Sequence, residues 1–349
     1  MEKGVRATFD VAVVGATGLV GEAMLTILAE RRFPVGRIHA LASARSAGQQ
    51  IRVGETELTV GDLAEFDFSQ VQLALFSAGG AVSGEYAPRA AAAGCVVIDN
   101  TSRFRYDDDI PLVVPEVNAS EIEGVRARGI IANPNCSTIQ LVVVLKPIYD
   151  RVGIERVNVA TYQSVSGAGR RALEALKTQT AAVLAGATLV SDGAPPHAAN
   201  VVPHIDVFED NGYTREEMKI VRETRKIMGD PDIRVNATAA RVPVWFGHSE
   251  AVHIETRERI SAREARALLS EAPGVRVVDD MPLPYPTALT DAAGADPVFV
   301  GRIREDISHE RGLDMWVVAD NVRKGGALNS VQVAEIWAER YSELYSRVR

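Results

Sequence analysis

Phe9 to Val14 is a short apolar run, and it passes directly into Gly15-Ala16-Thr17-Gly18-Leu19-Val20-Gly21. Apolar residues then recur at Val20, Met24, Ile27 and Leu28, the spacing of one helix face. The pattern predicts strand, glycine loop, helix. Further alternation follows: strands over Arg37 to Ala42, Val71 to Phe76 and Cys95 to Ile98, with an alanine-rich helix ending at Ala93. Leu112 to Val114 and Ile130 to Ala132 supply the last strands of this half. Strands that alternate with helices in this way point to a parallel, doubly wound α/β sheet. Beyond Pro147, expected to end the helix after Ala132, the period changes to longer strands: Arg156 to Ser164, Ile233 to Phe246, Glu250 to Thr256, Val298 to Arg304 and Leu313 to Ala319. Their clustering predicts a mixed or antiparallel α+β domain. A helix from Arg170 to about Gly186, and an irregular stretch Ser191 to Phe208 holding His197 and His204, lie between them. The two histidines lack metal-ligand spacing and read as structural. A last helix, with Val333, Trp337 and Tyr341 on one face, is expected to pack back on the first half.

The glycines let the backbone turn tightly and approach a pyrophosphate at a helix start. Their spacing is GxxGxxG instead of the commoner GxGxxG, so a plain tight turn is an open alternative. After the second strand, where an NAD site offers an acid to the ribose, stand Ser43, Arg45 and Ser46. An arginine flanked by hydroxyls suits a ribose 2'-phosphate and favours NADP; an ordinary polar loop would look the same. Gly15, Thr17, Gly18, Leu19 and Val20 are the other expected cofactor contacts.

Asn133-Pro134-Asn135-Cys136-Ser137-Thr138-Ile139-Gln140 places a thiol where a strand ends and a helix begins. Ser137 and Gln140 read as a capping box, with Cys136 one residue ahead of it. The positive end of the helix dipole favours thiolate there. A buried small hydrophobe would occupy the position equally well, and Cys95, opening an apolar strand, reads as core. Thr214 to Glu217 is a second capping box, on whose helix Glu216 and Lys219 are surface neighbours and by default a solvated ion pair. Arg241 and His248 bracket Val242 to Gly247; seven apart, they would face opposite sides of one regular strand, so joint action needs the break that Pro243 and Gly247 can supply.

With 349 residues the chain exceeds one ordinary core, so two domains are expected. A net charge of -8 without a basic block argues against nucleic acid or an anionic membrane as partner. The polar N-terminus, the lack of a long apolar run and only two cysteines point to the cytoplasm, with neither a disulfide framework nor a metal motif.

The glycine loop, Asn133 to Thr138, Gln163 before Ser166-Gly167-Ala168-Gly169-Arg170, Arg241 with His248, and Asn321-Val322-Arg323-Lys324-Gly325 occur in this order. Together they resemble the aspartate-semialdehyde dehydrogenase family, over nearly the whole chain. The resemblance implies NADPH-dependent reductive dephosphorylation of L-4-aspartyl phosphate to L-aspartate 4-semialdehyde, the branch point towards lysine, threonine and methionine. It makes Cys136 the nucleophile that forms a thioester and His248 the acid/base residue, with an ordinary imidazole pKa near 6.5. Gln163 orients the acyl group, Arg241 holds the substrate carboxylate and Glu216 its ammonium. Arg105, Lys219 and Asn135 fall on the phosphate site, Arg105 being preferred to Arg103, and Ser166, Gly167 and Asn321 join the cofactor contacts. It also implies a dinucleotide domain, 1–135 with 325–349 packed on it, a larger α+β substrate and dimerisation domain over 136–324, and a homodimer or dimer of dimers. Two rivals are N-acetyl-γ-glutamyl-phosphate reductase, which should show Pro-Gly-Cys where Pro134-Asn135-Cys136 stands, and a non-catalytic nucleotide-binding homologue, against which Cys136, Gln163, Arg241 and His248 speak together.

Overall fold

The computed structural model describes residues 8–189, 193 and 195–340. Tyr341, the rest of 341–349, the first seven residues and part of the 191–208 stretch lie outside the described residues. The chain forms two compact units, 1–134 with 326–349, and 135–325.

In the first unit β1 (Phe9–Val14), α1 (Leu19–Glu30) and β2 (Val35–Ala42) lead through a small hairpin, β3 (Gln50–Val53) and β4 (Thr56–Thr59), to β5 (Gly61–Asp62). Then come β6 (Leu73–Phe76), α2 (Gly80–Ala92), β7 (Val96–Asp99), the short α3 (Pro115–Asn118) and β8 (Ile130–Ala132). The main sheet is parallel, in the order β5-β2-β1-β6-β7-β8, with β1 central and buried almost throughout. Leu112 makes only one bridge, to Ala132, so the strand expected over Leu112 to Val114 is absent: Pro111 precedes it and Pro115 opens α3 immediately after.

The second unit begins with α4 (Cys136–Val152), then β9 (Ile154–Gln163), α5 (Arg170–Leu184), α6 (Arg215–Met228), β10 (Arg234–Arg241) and β11 (His248–Thr256). It closes with α7 (Ala262–Ser270), β12 (Val275–Val277), β13 (Val298–Glu305) and β14 (Gly312–Ala319). Pro147 does not end α4; it sits inside, and the helix runs on to Val152 and a left-handed Gly153. An interior proline costs about 3 kcal/mol. Burial of Leu141 to Leu145, Ile148 and Val152 outweighs it. The sheet is mixed, in the order β10-β9-β11-β14-β13-β12: the two outer pairs are parallel and the inner pairs antiparallel. Alternate residues of β11, His248, Glu250, Val252, Ile254 and Thr256, are buried on one face. The opposite face is half exposed. Around Trp316 it carries a cavity of about 670 Å³ lined by Val244, Ala251, Pro286, Ala288 and Met315, while Met281, Leu283 and Leu289 stand exposed nearby in sequence.

The final helix, α8 (Leu328–Arg340), returns to the first unit, where Leu328, Val331, Val333, Ala334 and Trp337 enter the core. The Trp337 ring lies 5.5 Å from that of Phe9, and Arg31 pairs with Glu335 at 2.7 Å.

Candidate active site

Cys136 is the first residue of α4, half buried, and the cap is Asn135, not the expected Ser137. Asn135 Oδ1 accepts from the Ser137 and Thr138 backbone N–H groups at 3.0 and 3.3 Å, satisfying donors that a helix start leaves open. The other half of the expected box is also missing, because Gln140 turns to the sheet and donates to the His248 carbonyl at 3.4 Å. The thiol therefore stands inside the helix's first turn, where the dipole acts on it more directly. Cys95 is fully buried next to β7.

Asparagine at 135 also links the thiol to an acidic cluster. Its Nδ2 donates to Glu216 Oε1 at 2.9 Å, and its backbone N–H donates to Glu223 Oε2 at 2.6 Å. Glu216 Oε1 also accepts from Gln163 at 3.1 Å, while Lys219 bridges Glu216 Oε2 and Asp206 at 3.0 and 2.9 Å. Glu216 is 5% exposed, so this is a buried network and not a solvated pair. Burial alone would raise its carboxyl pKa; Lys219 and the hydrogen bonds from Asn135 and Gln163 bring it down to about 2. Lys219 is shifted upward: burial works against its charge, but Glu216 and Asp206 prevail. The helix that carries this pair opens on the expected box at Thr214. Its Glu217 has two attachments, accepting from the Thr214 N–H at 2.6 Å and from the Ala239 N–H of β10 at 2.9 Å.

Gln163 and Arg241 end the parallel strands β9 and β10 in register with each other, and His248 opens β11 on the other side of β9. The Val242 to Gly247 segment supplies the required break, so both side chains reach one end of the sheet. Arg241, 7% exposed, donates to the Ser164 carbonyl at 2.8 Å, and burial lowers its pKa despite Glu216 and Cys136. His248 is fully buried, with Nε2 3.4 Å from the Gln163 amide nitrogen. Its pKa is not the ordinary 6.5. Burial and then Arg241 lower it to about 3, against the opposing pull of Glu216 and the Gly247 carbonyl. Gly167 lies close by: a Cβ there would stand 3.0 Å from Arg241 Nη1 and 3.3 Å from His248 Nε2. Asn321 spends its amide within this unit, accepting from Ser164 Oγ at 2.9 Å, Ser166 Oγ at 3.1 Å and the Gly247 N–H at 3.0 Å.

The first unit holds the other expected residues. Gly18 caps α1, with Leu19 and Val20 in its first turn. A Cβ on Gly21 would collide with the Gly15 carbonyl, so the loop and helix pack only with glycine there. Gly15, Thr17, Gly18, Ser43, Arg45 and Ser46 line a cleft of about 460 Å³. Arg105 is 5% exposed and donates to the Asn133 and Asn100 carbonyls at 2.9 and 3.0 Å, whereas Arg103 is exposed over the Phe104 ring. Among the described residues no group of His, Cys, Asp or Glu is disposed to hold a metal, and no helix is long and apolar enough to cross a membrane.

Sequence reasoning passed over Ser164, Asp206 and Glu223. Glu223 was accessible, since it follows Glu216 by two helical turns on the same face. Ser164 is the neighbour of Gln163, and its importance lies in its backbone N–H, which no residue type announces. Asp206 sits in an irregular segment at φ +67°, outside any periodicity.

A parallel dinucleotide-type unit joined to a mixed-sheet unit with a helix-start thiol defines the class. The family described as semialdehyde dehydrogenase, NAD binding domain, matches residues 10–125, and that described as semialdehyde dehydrogenase, dimerisation domain, matches residues 145–324. The chain is 63% identical to an aspartate-semialdehyde dehydrogenase of Legionella pneumophila over 94% of its own length and 95% of the relative's. It superposes with TM-score 0.94 and 55% identity on a crystal structure of aspartate semialdehyde dehydrogenase II complexed with ASA from Vibrio cholerae, covering 96% of this chain and 99% of that one. A Candida albicans aspartate semialdehyde dehydrogenase with NADP is similar at TM-score 0.75 and 27% identity, covering 95% and 98% of the two chains. This chain belongs to the aspartate-semialdehyde dehydrogenase family.

Proposed function

We propose that the protein catalyses reductive dephosphorylation of L-4-aspartyl phosphate to L-aspartate 4-semialdehyde, with NADPH, through a thioester on Cys136. The observation that carries this reading is the double use of Asn135, which caps the helix of the thiol and bonds the acid Glu216. Thiolate attack on the acyl phosphate forms the C–S bond and expels phosphate. Gln163 and His248 flank the acyl group. Glu216, held ionised, meets the substrate ammonium; Arg241 takes the α-carboxylate; Arg105, Lys219 and Asn135 take the phosphate. The glycine loop and the Ser43-Arg45-Ser46 turn fit a dinucleotide with a 2'-phosphate, and Ser166, Gly167 and Asn321 complete its contacts. When bound, that cofactor supplies hydride to the thioester carbon. A cofactor complex among the similar structures supports NADP.

The reaction places the protein at the branch towards lysine, threonine and methionine, in the cytoplasm. The apolar face around Trp316 suits a second copy of the chain and supports a homodimer, alone or paired into a tetramer. N-acetyl-γ-glutamyl-phosphate reductase is the poorer reading, because glycine at 135 could make neither side-chain bond. The test is phosphate-dependent reduction of NADP with aspartate semialdehyde, set against N-acetylglutamate semialdehyde. Activity with the second compound alone would overturn the assignment.

A further inference from the structure

Glu216 has a counterpart two turns further along α6. Glu223 lies on the same helix face, about 10 Å along the axis, and is fully buried, so its carboxyl group meets no substrate. The Asn135 backbone N–H donates to Glu223 Oε2 at 2.6 Å, while the Asn135 side-chain Nδ2 donates to Glu216 Oε1 at 2.9 Å. One residue is thus held at two points by one face of one helix, which fixes its direction as well as its place. Pro134 carries no N–H, so the N–H of Asn135 is the last backbone donor before the helix of Cys136. Asn135 passes the constraint on through Oδ1, which takes the Ser137 and Thr138 N–H groups and leaves Cys136 between anchored neighbours.

The helix α6 is a firm reference for this purpose. Glu217 ties it to the Ala239 N–H of β10 at 2.9 Å, and Arg225 Nε donates to the Ile233 carbonyl at 3.0 Å, one attachment on each side of Glu223 in the chain. The groups expected to work with the thiol are placed separately, on the sheet. Gln163 ends β9, Arg241 ends β10, and the His248 ring receives the Ser164 backbone N–H on Nδ1 at 3.0 Å. Gln140 reaches the His248 carbonyl only at 3.4 Å, a weaker tie between the thiol's helix and β11. A shift of Cys136 would therefore not be followed by its partners.

We propose that Glu223 is a positioning residue: through the Asn135 N–H it sets where the Cys136 sulfur stands relative to the acyl carbon, without binding either substrate and without activating the thiol. The proposal rests on Cys136 being the nucleophile, and so on the functional reading above. Attack forms one C–S bond as the carbonyl π pair moves to oxygen, and it needs the two atoms about 3–3.5 Å apart along one line. Misplacement by about 1 Å costs about 10²-fold in rate while the substrate grips stay as they were. Iodoacetamide is small and can approach a thiolate from several directions, so its reaction with Cys136 should not feel the same misplacement.

The test compares three variants of the full chain in the phosphorolytic direction, with turnover counted per mole of iodoacetamide-reactive Cys136 so that loss of folded protein does not enter. Glu223→Gln keeps the length and an acceptor oxygen, and its kcat is expected within about threefold of the unmodified chain. Glu223→Asp keeps the carboxylate but withdraws it by about 1.5 Å, and kcat should fall about tenfold. Glu223→Met keeps the bulk and removes the acceptor, and kcat should fall about 10²-fold. In all three, the KM values for semialdehyde and phosphate and the alkylation rate of Cys136 should stay within about threefold. Full kcat in Glu223→Met overturns the proposal. So does a KM that rises, or an alkylation rate that falls, in step with kcat, because the role would then be binding or activation. Glu223→Asp above Glu223→Gln would make charge, not length, the property that counts, and overturns it too. Should Glu223→Met fail to fold, the order of the other two decides alone. An unmodified chain inactive with aspartate semialdehyde sinks the functional reading itself, and the positioning role with it; an active one with an unaltered Glu223→Met sinks only the latter.

Discussion

Around the glycine loop of the first unit, the groups offered to a ligand are backbone N–H groups and exposed side chains such as Ser43 and Arg45. At the sheet end of the second unit, Gln163, Glu216, Arg241 and His248 are all buried and bonded within that unit. A backbone cradle tolerates many side chains outside its glycines and costs little to hold open. A buried network is pre-organised: each member is fixed by others, and removing one leaves a partner unsatisfied. Substitutions should therefore act through one ligand in the first unit and through the whole reaction in the second.

The strongest test of that contrast is the nucleophile. Cys136→Ser is expected to lower turnover by about 10³-fold or more, and iodoacetamide should label Cys136 before Cys95 as activity falls. Peptide mass spectrometry after partial inactivation decides it; label on Cys95 would move the chemistry elsewhere. Next, Lys219→Ala leaves Glu216 buried without its cation, and thermal or urea unfolding should show a loss of about 3 kcal/mol. A loss under about 1 kcal/mol would mean a solvated, surface-like pair, erasing the difference between the units. In the cleft, Arg45→Ala should weaken NADPH by about 1.5–3 kcal/mol and NADH hardly at all, read by titration of nucleotide fluorescence. Equal weakening would deny Arg45 the 2'-phosphate. A smaller split is expected between two arginines in the phosphorolytic direction. Arg105→Ala should chiefly raise the KM for phosphate, by about tenfold, and Arg241→Lys, which keeps charge but loses the planar fork, that for semialdehyde. A swapped pattern would exchange their roles, and normal phosphate dependence in Arg105→Ala beside its loss in Arg103→Ala would select the other arginine.

The finest test is acid stability. His248 has a lowered folded pKa of about 3, so the unfolded chain binds its proton first, and stability falls as pH drops from about 6.5 towards 3. Glu216 acts in the same sense between 4.5 and about 2, its contribution being present above the upper value and lost through the lower. Glu250, fully buried two residues after His248, has a raised pKa and acts oppositely, disfavouring the folded state as pH rises. His248→Gln should flatten the acid limb, and Glu250→Gln should raise Tm more at pH 7 than at pH 4.5; melting curves across pH report both.

What could be seen in the sequence follows the same division. Helix and strand periods around Phe9 to Leu28 are local, and so is the glycine spacing, which is why the first unit was readable from residues alone. Cys136 at a helix start was also readable, although the cap was placed two residues late, because both Asn135 and Ser137 are good cap residues and only the fold decides between them. Pro147 misled because propensity argues for a stop, whereas buried neighbours on both sides carry the helix through. The pairings of Glu216 with Asn135 and of His248 with Ser164 join residues more than eighty positions apart. No spacing rule reaches that far; the roles expected of Glu216, Asn135 and His248 came from family resemblance, and Ser164 was passed over. The depressed pKa of His248 was invisible for the same reason: it depends on what surrounds the ring, not on the ring.

The double attachment of Glu217 gives the molecule a tuning point. One carboxylate sets the distance between the helix that bears Glu216 and the strand that ends in Arg241. Those two residues are the proposed grips on the ammonium and carboxylate of an amino acid, and their separation is a ruler for the backbone of the substrate. Changing the ruler does not require touching either grip. Selection or design could thus adjust which amino-acid skeleton is accepted from a position that no ligand ever meets.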